Sequence, residues 1–108
     1  MRIGITGAAG FVGSYLTSYL MEKGHQLRLL DRTVGTLKEL RGVEVVAGGV
    51  EDNPVVKSFV KEMEMIIHLA WSFSEDPVQS LERDWSEPLR LDIYSLSHNA
   101  FLRVIFSK

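Results

Sequence analysis

The 108-residue chain contains no cysteine. That absence excludes disulfides, thiolate metal sites and cysteine nucleophiles, and it fits a cytoplasmic setting. Long apolar runs are also missing: none approaches the ~20 residues of a membrane span, and the N-terminus lacks the basic, apolar and small-residue regions of an export signal. A membrane partner is therefore not expected. Basic charge is not in excess either, with 12 Lys and Arg against 14 Asp and Glu and a net charge of −2. Without a basic cluster, nucleic acid is not an expected partner. His25, His68 and His98 have no histidine or carboxylate companions at ligand spacing, so no metal site is expected. Serine triads, lysine-containing phosphate loops, paired hydrolase carboxylates, internal repeats and low-complexity segments are absent as well. What remains is an ordinary globular composition, 45% hydrophobic and 24% charged, of a length that suits one domain over residues 1–108.

Against this plain background the N-terminus stands out. Residues 2–6 read as a short buried strand, followed by glycines at positions 7, 10 and 13 and then by a helical pattern. Glycines so spaced permit a tight reversal, let the backbone approach a pyrophosphate and let the helix pack close to the strand. The helix N-terminus adds unpaired N–H groups and the positive end of its dipole. Phe11, Val12, Tyr15, Leu16, Tyr19 and Leu20 are the expected packing stripe of that helix, with Gly24 closing it. Residues 26–31 read as a second strand ending in Asp31, about twenty residues past the turn. A dinucleotide-binding unit places there the carboxylate that binds the adenosine ribose hydroxyls.

The alternation continues. Arg32 to Gly35 is turn-like, residues 36–41 can form a short helix, and residues 43–47 form a third strand that ends at Gly48-Gly49. Asn53 is the expected N-cap of a further helix, with Pro54 in its first turn and Val56, Phe59, Val60 and Met63 as its buried stripe. Residues 65–70 form a fourth strand whose nearly continuous apolar character suits burial on both faces of a parallel sheet, and His68 is expected there as a hydrogen-bonded core residue. A polar connector over 72–84 leads to a last helix beginning near Ser86-Glu87-Pro88, with Leu89, Ile93, Leu96, Ala100 and Val104 on its apolar face, although residues 103–107 also carry strand propensity.

Strands and helices at this spacing specify an α/β fold, a Rossmann-type doubly wound parallel sheet. Its four strands, numbered along the chain, take the order 3-2-1-4, and the chain stops before the later strands of such a sheet. The switch point lies between the first and fourth strands. Ligands bind outside the carboxyl ends there, where Gly7 to Gly13, Asp31, Gly49-Val50 and Leu69-Ala70-Trp71 converge.

Four stretches give the chain a family resemblance. Thr6-Gly7-Ala8-Ala9-Gly10-Phe11-Val12-Gly13, Leu30-Asp31-Arg32, Gly48-Gly49-Val50-Glu51-Asp52 and Ile67-His68-Leu69-Ala70 resemble the N-terminal motifs of the extended short-chain dehydrogenase/reductases, the NAD-dependent epimerase/dehydratase family acting largely on nucleotide sugars. The resemblance covers about residues 1–71. It implies that Gly7, Gly10, Phe11 and Val12, in the turn completed by Gly13, hold the pyrophosphate through backbone N–H groups, and that Asp31 binds the adenosine ribose. It further implies that Val50 lies beside the adenine and that Leu69 and Ala70 line the inner ribose region; Trp71 departs from the family's second alanine at this place, and its bulk is expected to stack near the cofactor or narrow the cleft. An acid at position 31 favours NAD, because a 2′-phosphate would meet a like charge; Arg32, whose guanidinium can pair with a phosphate, keeps NADP as the alternative.

Departures from the pattern accompany the match. Gly49 stands where the family has an adenine-contacting aspartate, and Asp92 where it has an asparagine. The family's catalytic serine or threonine and its Tyr-x-x-x-Lys have no counterpart here. The literal match Tyr19 to Lys23 falls on the first helix, where Tyr19 belongs to the stripe expected to pack on the sheet. Alone, the chain is thus expected to hold a dinucleotide without completing the family's chemistry. It is read either as the binding part of a longer enzyme or as a stand-alone sensor or regulatory module. A third reading is a non-binding domain that self-associates through the exposed edge of the fourth strand or through the last helix.

Overall fold

The computed structural model describes residues 1–33, 35, 37, 40–49, 52–69, 89–97 and 100–107. In chain order these form β1 (Arg2–Thr6), α1 (Phe11–Glu22), β2 (Gln26–Asp31), β3 (Val43–Ala47), α2 (Asn53–Val60), β4 (Met65–His68), β5 (Leu89–Ser97) and β6 (Ala100–Ser107). The sheet runs β3-β2-β1-β4-β6-β5. Its first four strands are parallel, in the 3-2-1-4 order expected of the sequence.

Strand alternation separates two cores. On one face Leu30 and Ile66 pack with Val56, Phe59, Val60 and Met63 from α2 and the turn after it, the stripe expected of that helix. On the other, Ile3, Ile5, Leu27, Leu29 and Ile67 pack with Leu16, Leu20 and Met21 of α1. Helices on both faces make the sheet doubly wound. Gly4 shares the α2 face, where a side chain would have no room: a Cβ built on it would lie 2.7 Å from the wholly buried Phe59 ring.

Three local expectations are corrected. On α1 the packing face is rotated from the expected stripe. Gly13 and Thr17 are buried while Phe11, Tyr15 and Tyr19 are 92%, 70% and 48% exposed. The set 13, 16, 17, 20 is the i, i+3, i+4, i+7 face, and small residues occupy it where the helix lies closest to the turn. The N-cap of α2 is Asp52, not Asn53: its Oδ1 accepts the Val55 N–H at 3.4 Å. These adjacent residues are both good caps, and the cap falls one residue earlier.

The third correction concerns the C-terminal stretch. The expected last helix does not form: residues 89–97 and 100–107 are β5 and β6, paired antiparallel with a shift between Ser95 and Ser97. Val104 is buried against the α1-side core. β6 also pairs antiparallel with β4, from Met65↔Phe106 to His68↔Arg103. The edge of β4 is therefore covered, and among the described residues neither an open β4 edge nor a terminal helix is present. The physical reason is that an unpaired row of buried backbone groups on β4 is more demanding than the local pattern of residues 89–104, which tolerates both periodicities. The short helix expected over 36–41 lies largely outside the described residues, which record one tight turn, Leu40 N–H to the Leu37 carbonyl at 3.1 Å.

One side chain ties α2 to the sheet. Arg28 on β2 donates Nη1 to the carbonyls of Ser58, Phe59 and Lys61 at 3.1, 3.0 and 2.7 Å, and its Nε lies 3.0 Å from Glu44 Oε2 on β3. Carbonyls at a helix C-terminus lack intrahelical partners and carry the negative end of the dipole, so a guanidinium is well matched to them. Arg28→Met, which keeps the apolar stem, is expected to cost about 1–3 kcal/mol in urea unfolding. An unchanged midpoint would show that the carbonyls are equally well served by water.

Candidate functional site

The carboxyl ends of β1, β2 and β4 meet at the point where strand order reverses. β1 does not simply stop there, since the Gly7 N–H continues its ladder to the Leu30 carbonyl at 2.8 Å. Gly7 then takes φ +70°, a left-handed conformation in which a Cβ is costly. The Gly10 N–H returns to the Gly7 carbonyl at 3.2 Å and closes the reversal.

Gly10 is the N-cap of α1 and supplies no side-chain cap, and no acidic residue occupies the first turn. The helix's hydrogen bonding begins with Ser14 N–H to the Gly10 carbonyl at 2.9 Å. The amides of Phe11, Val12 and Gly13 precede that bond and lead off the helix end, the arrangement that receives anions. Phe11, at 92% exposure, leaves this end open to solvent. Gly13 brings α1 against the turn: a Cβ there would sit 2.7 Å from Ala8 Cα and 2.8 Å from the Ala8 carbonyl oxygen, and against the Gly7 carbonyl oxygen. The three glycines thus have separate causes: backbone conformation at Gly7, an open cap at Gly10 and close packing at Gly13.

Asp31 ends β2 beside this turn. Its Oδ2 accepts the Ala9 N–H at 3.0 Å and its Oδ1 accepts the Thr33 N–H, also at 3.0 Å. The carboxylate is thus built into the turn rather than merely near it. Ala9 gave no sequence signal beyond its place among the glycines, and its amide is the contact that joins the two motifs. The Asp31 carbonyl accepts the Gly48 N–H at 3.1 Å, which carries the end of β3 to the same corner. Arg32 follows β2 directly and is exposed.

At the other flank, Leu69 follows β4 half-buried. Its N–H reaches both the Thr6 carbonyl, at 3.1 Å, and the Thr6 hydroxyl, at 3.0 Å. His68 is fully buried and hydrogen-bonded to Thr6, the core role expected of it. The structure therefore brings Gly7, Gly10, Phe11, Val12, Gly13, Asp31, Arg32 and Leu69 to one end of the sheet. Val50, Ala70 and Trp71 lie outside the described residues. Tyr19 is placed apart, ~12 Å along α1 from Phe11 at 1.5 Å per residue. Contrary to expectation it does not pack on the sheet, and the Lys23 ammonium lies 5.4 Å from the centre of its ring.

A parallel 3-2-1-4 sheet wound on both faces, with a glycine turn at its switch point, defines a Rossmann-type α/β domain. Residues 3–92 match the model of the NAD dependent epimerase/dehydratase family, and the chain belongs to that family. It is 36% identical over 69 residues to a 3 beta-hydroxysteroid dehydrogenase/Delta 5-->4-isomerase of Mycobacterium tuberculosis, an alignment that covers 64% of this chain and 19% of the relative. To UDP-glucuronic acid decarboxylase 1 of Danio rerio it is 41% identical over 73 residues, covering 64% and 17%. Among solved structures, the UDP-glucose 4-epimerase of Thermus thermophilus in complex with NAD is similar with a TM-score of 0.59 at 26% identity, over 67% of this chain and 24% of that one. The chain spans about a fifth of the length of the curated relatives it matches.

Proposed function

We propose that this chain is the NAD-holding part of an enzyme of the epimerase/dehydratase family, with the dinucleotide lying across the carboxyl ends of β2, β1 and β4. One observation carries the reading. The bond from Ala9 N–H to Asp31 Oδ2 joins an open helix N-terminus and a strand-end carboxylate into one corner. In the proposed complex the amides of Phe11, Val12 and Gly13 face the pyrophosphate; those of Gly7 and Gly10, which the family resemblance also implied, are taken by the Leu30 and Gly7 carbonyls. A carboxylate has about four acceptor positions, and Asp31 uses two on Ala9 and Thr33, so about two are left for ribose hydroxyls. Its charge opposes a 2′-phosphate, which favours NAD over NADP despite Arg32.

The fit to NAD rests on this corner and not on the family alone, since Gly10 leaves the cap without a side chain and no acid stands in the first turn to repel a phosphate. When bound, NAD supplies a ring that accepts hydride from a hydroxyl-bearing carbon. The residues of this chain orient the dinucleotide; none of those described is assigned a proton transfer. The relatives' names point to a nucleotide sugar as the proposed substrate class, with a steroid alcohol as the rival reading.

Calorimetric titration with NAD and NADP tests the proposal. NAD is expected to bind at least about tenfold more tightly than NADP, the scale of one unfavourable charge contact. Asp31→Ala is expected to weaken NAD about tenfold or more by losing charge-assisted hydrogen bonds. Failure of the unmodified chain to bind either dinucleotide would sink the reading, whereas unchanged affinity in Asp31→Ala would sink only the role given to the carboxylate.

A further inference from the structure

Thr6 and His68 are the last residues of β1 and β4 and stand opposite each other in the parallel register. By strand alternation they share the α2 face with Gly4 and Ile66, one layer nearer the crevice. Both are fully buried, and buried polar side chains persist where they bond to each other or to the backbone. Thr6 Oγ1 and His68 Nδ1 are 2.5 Å apart. The same hydroxyl accepts the Leu69 N–H at 3.0 Å, and the Thr6 carbonyl accepts that N–H at 3.1 Å. The hydroxyl can donate its proton to Nδ1 while it accepts the Leu69 N–H. The first residue beyond β4 is thus fixed through two atoms of Thr6, one of them held in turn by His68.

The location gives this cluster a consequence. Asp31 marks the adenosine side of the crevice at β2, and the glycine turn at the end of β1 marks the phosphates. A dinucleotide crossing the switch point must then lay its second nucleotide against the end of β4, where Leu69 stands. We infer that Thr6 and His68 form a buried clasp that positions this rim, and that they are positioning residues selective for the nicotinamide half of NAD. The inference rests on the proposed NAD site, and it adds residues that touch no ligand themselves.

The test compares NAD with AMP, which reaches the β2 side and the glycine turn but not the end of β4, by calorimetry on the full chain and its variants. Thr6→Val removes the hydroxyl at nearly constant shape and is expected to weaken NAD about tenfold while leaving AMP within about twofold, the scale of one lost hydrogen bond. Thr6→Ser, which keeps the hydroxyl, is expected to restore the wild-type ratio of the two affinities. His68→Phe removes Nδ1 while keeping a ring of similar size and is expected to lower NAD affinity alone; it carries the test should Thr6→Val fail to fold. An unchanged NAD-to-AMP ratio in Thr6→Val or, in its place, His68→Phe would overturn the clasp, as would an equal fall for both ligands, which marks a merely structural role. If the wild-type chain binds neither NAD nor AMP, the NAD reading falls and the clasp falls with it.

Discussion

Gly13→Ala is expected to abolish NAD binding at ordinary titration concentrations and to lower the unfolding midpoint in the same protein. The atoms that a Cβ at this position would meet are all backbone: Ala8 Cα at 2.7 Å, the Ala8 carbonyl oxygen at 2.8 Å and the Gly7 carbonyl oxygen. None of them can swing away as a side chain can, so α1 must lift from the turn or the turn must deform. Overpacking of this kind costs about 1–3 kcal/mol. Binding suffers more, because amides aimed at one anion lose their common focus. Two charge-assisted bonds at about 1.5 kcal/mol or more each amount to about a hundredfold in affinity. Gly10→Ala separates the causes. A Cβ there meets only the Gly7 carbonyl oxygen, at 3.5 Å, and the backbone φ of −71° is open to any residue. Its unfolding free energy is expected to fall by no more than about 1 kcal/mol, since alanine is a poorer N-cap than glycine, while NAD affinity falls, because the methyl is added at the helix end that the phosphates would approach. Wild-type NAD affinity in Gly13→Ala would show that the turn does not hold the phosphates.

Phe59→Ala is expected to produce the largest loss of stability. The ring is wholly buried between α2 and the sheet and rests on Gly4. Removing a buried phenylalanine costs about 3–5 kcal/mol, a large share of the roughly 5–15 kcal/mol that holds a domain folded. Urea unfolding followed by circular dichroism reads the loss directly. The same contact makes a second, sharper statement. Gly4→Ala alone pushes a methyl to 2.7 Å from the ring and is destabilising, whereas in the Phe59→Ala background the methyl enters the space the ring has left. The double variant is therefore expected to be more stable than the sum of the single losses predicts, by at least about 0.5 kcal/mol. Additive losses would show that α2 is not seated on β1 through this pair.

Much of the architecture is legible in the residues because two signals agree. Short runs such as Met65 to Ile67 are apolar at every position, as a strand buried on both faces must be, and Val56, Phe59 and Val60 repeat at helical spacing between such runs. The corner of the site is legible for a similar reason: the glycines and Asp31 lie at the separation that one βαβ unit imposes. Other features turn on information that a linear pattern does not hold. The rotation of α1 is set by Gly13 and Thr17, small residues that score poorly as core yet are buried where the helix touches the turn. Its tyrosines and Phe11 count as apolar in a pattern although they face solvent. Leu89, Leu91 and Ile93 fit an alternating strand as well as Leu89, Ile93 and Leu96 fit a helix, so the choice falls to the edge of β4, which β6 satisfies. The Thr6–His68 contact joins residues 62 positions apart, a distance over which neither residue signals the other.

The covering of β4 has a kinetic side. Among the described strands, β5 and β6 are the one antiparallel neighbouring pair adjacent in sequence, with Ser97 opposite Ala100. A hairpin of this kind forms in about 1–10 μs. Every parallel pairing, in contrast, must first close a long loop, and β1 with β4 spans 62 residues between Thr6 and His68. Loop closure of that order slows folding far more than it weakens the folded state. The hairpin can therefore be in place before the parallel sheet exists and present β6 as a ready template for β4. In this order of events β5 and β6 are among the first elements to be structured, and the crevice at the switch point is among the last features to assemble.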